Sequence, residues 1–169
     1  QGILRDDNAT VYRNIEARRA GLEVVGQWRL DSALSIGGDA AYVWAQNVTD
    51  DRPVAQTPPL EGRVYASWAR GRWGASGLVR WAAEQTRVDD NPMSGSGLDT
   101  GETSGWAVLD LSGGCELGAG FRVSAGIDNV LDRTYAYHLN RANFFEPLRI
   151  QINEPGRVLW LRLRWTGSG

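Results

Sequence analysis

The chain is short of cysteine, of net charge and of long apolar runs, and each shortage excludes a class of protein. With one cysteine among 169 residues, Cys115, no internal disulfide can form, so the small secreted folds that disulfides staple are excluded. No stretch of about 18 apolar residues occurs, so no transmembrane helix is predicted. The formal net charge is only -2, which leaves no basic excess of the kind that binds nucleic acid.

Apolar residues recur instead with a period of two, as in strands that have one apolar side. In residues 31–46 they fall at every second position from Leu34 and Ile36 to Tyr42 and Trp44. The same alternation recurs in six other segments. The predicted strands are 12–29, 31–46, 60–70, 73–87, 105–117, 121–135 and 156–165, and residues 1–5 are a candidate for the end of an eighth.

The connections between these strands alternate in length. Tight turns at 30–32, 71–72 and 118–120 are separated by long polar loops, at 45–59, 88–104 and 136–155. Short turns at one end and long loops at the other are typical of barrels in the bacterial outer membrane. The sequence therefore predicts an all-β fold, an antiparallel up-and-down meander of seven to eight long strands from a transmembrane β-barrel.

A single register places every mid-strand charge on the side away from lipid, because a lipid-facing arginine at the bilayer midplane would cost about 2–4 kcal/mol. One predicted face carries Val24, Ile36, Val79, Leu109, Ile127 and Leu161. The other carries Arg80, Asp110, Arg122, Asp128, Arg162 and Arg164, with the two aspartates expected to pair with Arg80 or Arg122. The tryptophans near the short turns and the chain end, expected to form a belt at the membrane interface, are Trp28, Trp68, Trp73 and Trp165.

Four segments, in this order along the chain, resemble conserved patterns of TonB-dependent outer-membrane receptors. Residues 18–23, Arg-Arg-Ala-Gly-Leu-Glu, resemble their Arg-x-x-Gly-x-Glu pattern, and 127–135 contain a likeness of their Asn-Leu-x-Asp-x-x-Tyr signature. Residues 154–157, Glu-Pro-Gly-Arg, look like the lead into the last strand, and 161–165 look like the terminal signal read by the barrel-assembly machinery. Within the family, 137–141 and 153–157 look most like the copper-receptor subgroup.

This resemblance implies part of an outer-membrane receptor and transporter for a metal or metal complex, with copper as the first choice of ligand and a siderophore complex as the second. It implies residues 1–165 as C-terminal barrel strands in contact with outer-membrane lipid, and a plug domain, absent from this sequence, through which the TonB system acts. Residues 166–169, Thr-Gly-Ser-Gly, resemble an artificial ending.

His138 is the single residue nominated as a metal ligand, because it is the only histidine and lies in the third long loop. Met93, Cys115, Asp89 and Glu146 would complete a site only if the loops converge, so a solvated loop histidine is the simpler interpretation. The acidic residues of 89–102 lack the spacing of a calcium loop and are expected to be solvated as well. No cofactor is expected within the chain.

Two other functions remain open at this stage. One is a small self-contained eight-stranded barrel that serves as a scaffold, pore or ligand-binding module, since eight strands suffice for closure. The other is a soluble secreted sandwich or lectin. An enzyme is not expected, because the sole histidine has no nucleophile motif around it.

Overall fold

The computed structural model describes residues 14–91, 99–140 and 151–167, together with the backbone of 2–4 and 10–12. All regular structure in these ranges is β-strand. These ranges contain no helix with the length and apolarity that crossing a membrane requires.

Seven long strands form one antiparallel sheet in which each strand pairs with its neighbours along the chain. In chain order the strands are β1 (Gly2–Leu4), β2 (Thr10–Tyr12), β3 (Ala17–Arg29), β4 (Leu34–Asn47), β5 (Arg52–Pro53), β6 (Glu61–Arg70), β7 (Trp73–Ala82), β8 (Trp106–Gly118), β9 (Phe121–Asp128) and β10 (Val158–Trp165). The sheet order is β3-β4-β6-β7-β8-β9-β10, with the two-residue β5 paired to β4. The predicted up-and-down meander of long strands is confirmed.

The N-terminal residues differ from the prediction. Gly2–Leu4 does not join the main sheet as an eighth strand but pairs with Thr10–Tyr12 in a separate two-stranded sheet. The strand predicted over 12–29 is therefore divided, and β3 begins only at Ala17. Pairing two nearby segments closes a short loop, which costs less chain entropy than pairing with a distant edge.

Two strands end earlier than predicted on the side of the long loops. β7 ends at Ala82 and not at residue 87, and β9 ends at Asp128 and not at residue 135. In β9 the cause is the next residue, Asn129, whose φ of 51° belongs to the left-handed region and cannot continue a strand. The residues beyond both ends fold into the loops instead.

The predicted register is confirmed, because residues paired directly across a ladder share a face. Val79 pairs with Val64 on one side and Leu109 on the other, and Ile127 pairs with both Leu111 and Leu159. We call this side the apolar face. The alternate residues form the polar face, where every charge predicted for that side lies: Arg80, Asp110, Arg122, Asp128, Arg162 and Arg164.

The short turns lie at one end of the sheet and use local hydrogen bonds and left-handed residues. In the β3–β4 turn the Asp31 carboxylate accepts the backbone N–H groups of Ala33 at 2.6 Å and Leu34 at 2.7 Å. These two bonds lower the pKa of Asp31. The β8–β9 turn has a φ of 78° at Gly120, where a Cβ would collide with the Thr166 carbonyl oxygen, so glycine is required there.

The apolar face is largely uncovered, whereas the packed interior lies under the loops. The outward tryptophans Trp28, Trp68, Trp73 and Trp165 are 62%, 40%, 56% and 64% exposed, as expected of an interfacial belt. The largest fully buried side chains are Val108, Asn47, Asn129 and Asp89, of which three are polar. The interior is therefore a hydrogen-bonded assembly at the long-loop end and not an apolar core.

Candidate functional site

Ion pairs join neighbouring strands across the polar face. Arg63 on β6 donates from Nε to Asp39 on β4 over 2.6 Å, directly across the ladder. Arg80 on β7 donates to Asp110 on β8 from Nε and Nη2, at 2.8 and 3.2 Å. This forked contact is among the stronger hydrogen-bonding arrangements in proteins. The predicted pairing of Asp110 with Arg80 is confirmed.

The second predicted aspartate pair, Asp128 with an arginine, does not form. Asp128 accepts a hydrogen bond from Trp160 Nε1 at 3.1 Å, and Arg122 pairs with Glu116 at 3.2 Å. Asp128 and Arg122 lie at opposite ends of β9, six residues apart, which is about 20 Å in a strand. The same-face pattern is correct for both residues, but their separation along the strand excludes contact.

Aromatic side chains from the last long loop pack onto the polar face above Arg80. The Trp106 ring lies 4.4 Å from the Tyr135 ring and 4.8 Å from the Tyr137 ring, measured between centroids. The Tyr137 hydroxyl accepts a 3.4 Å hydrogen bond from Arg80 Nη1, and the Arg80 guanidinium lies 6.0 Å from the Tyr135 ring centre. The β9–β10 loop therefore folds inward over the sheet.

This inward fold borders a recess of about 240 Å³ on the polar face. Asp39, Glu61 and Arg63 line one side, and Trp106 and Tyr137 line the other. A ligand there would meet both signs of charge and several aromatic rings. The recess is suited to a polar or charged molecule and not to an apolar one.

The Asn129 side chain explains why an asparagine stands where β9 ends. Its Oδ1 accepts the Arg133 N–H at 2.9 Å and its Nδ2 donates to the Arg133 carbonyl oxygen at 2.8 Å. Its backbone N–H donates to Asp110 at 2.8 Å, and Asn129 is only 2% exposed. Asparagine tolerates the left-handed conformation better than most residues, and its amide closes the turn.

The same turn holds the lead into the last strand. Asp132 Oδ1 accepts the Arg157 N–H at 2.8 Å. A Cβ at Gly156 would lie 2.8 Å from that carboxylate oxygen, so the position admits glycine best. The segments 127–135 and 154–157, which the sequence presents as separate patterns, therefore form one structural unit. Sequence spacing alone gives no sign of this contact.

A second buried cluster joins the long loops to one another. Asp99 accepts the backbone N–H groups of Gln56 at 2.7 Å and Asp89 at 2.8 Å. Asp89 is fully buried and accepts a hydrogen bond from Arg52 Nε at 3.0 Å. His138 Nδ1 lies 2.9 Å from Thr103 Oγ1. Residues from all three long loops meet here, and we call the group the loop cluster.

The loop cluster corrects two expectations. Asp89 and Asp99 were expected to be solvated but are 0% and 6% exposed, and His138, expected to be a solvated histidine, is 9% exposed. A buried carboxylate is stable only when it is hydrogen-bonded, and both carboxylates are. Burial raises the pKa of Asp99, but the nearby His138 ring and the hydrogen bonds from the backbone N–H groups of Asp89 and Gln56 outweigh it and lower the pKa.

Only one of the two ring nitrogens of His138 has a hydrogen-bond partner among the described residues. Its Nε2 lies 3.4 Å from Asp99 Oδ1, close enough for electrostatic attraction, but it has no well-formed hydrogen bond. Of the proposed co-ligands, Cys115 is on the apolar face near the short turns, and Met93 and Glu146 lie outside the described residues. Within the described ranges no three His, Cys, Asp or Glu side chains gather as a metal site. His138 as a ligand stays a prediction.

The comparisons with known proteins agree with this geometry. Residues 2–130 match the family model described as TonB dependent receptor-like, beta-barrel. The chain belongs to the TonB-dependent receptor family. Its apolar face is therefore the lipid-facing side of an outer-membrane barrel, and its polar face lines the interior.

Solved structures of TonB-dependent receptors are similar to this chain. The copper transporter OprC is 32% identical, with a TM-score of 0.84 over 95% of this chain and 25% of its own. The ferripyoverdine receptor of Pseudomonas aeruginosa is 18% identical, with a TM-score of 0.69 over 95% of this chain and 21% of its own. The ferric citrate transporter FecA is 18% identical, with a TM-score of 0.67 over 86% of this chain and 23% of its own. Comparison with curated protein sequences finds no match.

Two of these likenesses establish the fold alone, because identity is below 25%. This chain spans about a quarter of OprC. The similar proteins are receptors and transporters.

Proposed function

We propose that this chain is part of the barrel of a TonB-dependent receptor that imports copper. The supporting observation is the 32% identity to a copper transporter, sustained over 95% of the chain. A ferric siderophore complex is the second candidate, since a ferripyoverdine receptor and a ferric citrate transporter share the fold.

In this proposal the segment contributes a rigid wall and the base of the loops that close over the substrate. The wall is polar, and some of its charges neutralise one another in the ion pairs Asp39–Arg63 and Arg80–Asp110. The loop cluster fastens three loops whose contacting residues are 35 to 43 positions apart. Loops fastened at their bases present their outer parts in a defined arrangement, which reduces the entropy lost when a substrate binds.

The partners of the whole protein follow from the same proposal. The energy-transducing TonB system would act through a plug domain inside the barrel. The barrel-assembly machinery would read the last strand, where Leu161, Leu163 and Trp165 face outward with 75%, 66% and 64% of their surface exposed. An exposed edge strand is the surface on which another strand can add.

The cargo is tested by deleting and restoring the gene of the complete receptor in its own cells. We expect cellular copper under copper limitation to fall on deletion and to recover on restoration, whereas uptake of ferric siderophores stays constant. Unchanged copper together with lost ferric uptake would replace the first candidate with the second. Unchanged uptake of both would refute the proposed cargo class.

A further inference from the structure

The apolar face contains a groove of about 570 Å³ near the short turns. Its floor is a row of small residues, since Ala75, Gly113 and Ala125 are direct partners across three strands. Trp68 ends this row, and Trp73 stands beside it in the next row toward the turns. The volume is within the range of small-molecule sites, about 300–1,000 Å³.

Two cations stand at the turn end of the groove. Arg70 pairs with Trp73 across the β6–β7 turn, on the same face. The Arg72 guanidinium lies 5.8 Å from the centre of the Trp73 ring. In the part of the chain that the structure describes, neither arginine has an acidic partner within salt-bridge distance, unlike Arg63, Arg80 and Arg122 on the polar face. The groove therefore joins an apolar slot to unneutralised positive charge.

We propose that this groove is a binding site for one anionic phospholipid of the periplasmic leaflet. A hydrocarbon chain lies over Ala75, Gly113 and Ala125, and the headgroup phosphate contacts Arg70 and Arg72. The short turns of such barrels are periplasmic, which places these arginines at headgroup level on that side. Tryptophan belts mark the same level, and Trp68 and Trp73 flank the slot.

The charge of the site selects this occupant over a second copy of the chain. Another copy would bring the same two arginines to the contact if it paired through the same patch, and like charges would oppose it. A zwitterionic lipid would fill the apolar slot but would gain less from the cations. Each basic side chain at a membrane surface is worth about 1 kcal/mol toward anionic lipid, or about fivefold in affinity.

The test is a lipid titration of the complete receptor in detergent, followed by native mass spectrometry. Phosphatidylglycerol and phosphatidylcholine are the two probes. We expect one tightly retained phosphatidylglycerol and weaker retention of phosphatidylcholine. The double variant Arg70→Gln, Arg72→Gln should lose about 25-fold in affinity for phosphatidylglycerol, from two fivefold factors, and little for phosphatidylcholine. Ala125→Leu, which fills the slot, should weaken both.

Two control variants keep the result specific. Arg29→Gln removes a cation at the same end of the sheet but on the polar face. Ala20→Leu enlarges an exposed outward residue near the long loops. Both should retain phosphatidylglycerol as the parent does. Equal retention of the two lipids, or an unchanged double variant, overturns the proposal. So does a receptor dimer that Ala125→Leu abolishes, because a second copy then fills the groove.

Discussion

The Asn129 turn makes the sharpest stability prediction, because its geometry allows the effect to be divided into parts. Asn129→Ala removes two side-chain hydrogen bonds to Arg133, of 2.8 and 2.9 Å, each worth about 1 kcal/mol. It also places alanine at a φ of 51°, which costs about 1 kcal/mol more. We expect the free energy of unfolding to fall by about 3 kcal/mol.

Two further variants separate these contributions. Asn129→Gly loses the same hydrogen bonds but tolerates the left-handed backbone, so its loss should be about 2 kcal/mol. Asn153→Ala, in the same loop, changes an exposed asparagine and should stay within about 0.5 kcal/mol of the parent.

The assay is urea unfolding of the complete receptor in lipid vesicles, with hydrogen exchange to locate the change. The Arg157 N–H, which Asp132 accepts at 2.8 Å, should exchange faster in Asn129→Ala, because the turn holds Asp132 in place. If Asn129→Ala unfolds like Asn153→Ala, the turn does not stabilise the last strand and the reasoning fails. If the alanine and glycine variants are equally unstable, the backbone contribution is wrong.

Three other predictions follow from the two faces and the loop cluster. Val79→Arg should cost about 2–4 kcal/mol in vesicles, whereas Leu78→Arg, one residue away on the polar face, should cost far less; equal unfolding midpoints in urea would contradict the register. The folded pKa of Asp99 is lowered. The ionised Asp99 carboxylate therefore stabilises the fold fully above its unfolded-state pKa of about 3.9, and this stabilisation is lost as the pH falls through the folded pKa. Between about pH 5 and 3 the parent should therefore lose more stability than Asp99→Asn, and parallel pH profiles would refute this. His138→Ala and Thr103→Val should each lower the free energy of unfolding by about 1–3 kcal/mol. Copper titration of the two variants should show a modest loss of affinity or none. A loss of affinity confined to His138→Ala would identify His138 as a copper ligand.

The sheet could be predicted from sequence because its rules are local. Side chains alternate strictly along a strand, so a charge such as Arg80 beside an apolar residue such as Val79 fixes which side each faces. The short turns also predict which strands are neighbours, because a turn of two or three residues can join only adjacent antiparallel strands. The strand ends were harder, since the left-handed residue Asn129 breaks β9 while its neighbours still alternate.

The loop cluster could not be predicted because its partners are distant in sequence. Asp99 meets Gln56 from 43 residues away and His138 meets Thr103 from 35. Each residue alone resembles an ordinary polar loop side chain, and only the folded arrangement buries it. The early residues differ for the opposite reason: the prediction extends the alternation of Leu22, Val24 and Trp28 back to residue 12, but Thr10–Tyr12 has a nearer partner in Gly2–Leu4.

Energy-dependent import is the core of the proposed function, and an uptake measurement can test it. Cells that produce the complete receptor are given labelled copper at limiting concentration, with and without a functional TonB protein. We expect receptor-dependent uptake that disappears when TonB is lost, while copper binding to the cell surface persists. Uptake that continues at the same rate without TonB would contradict energy-dependent import.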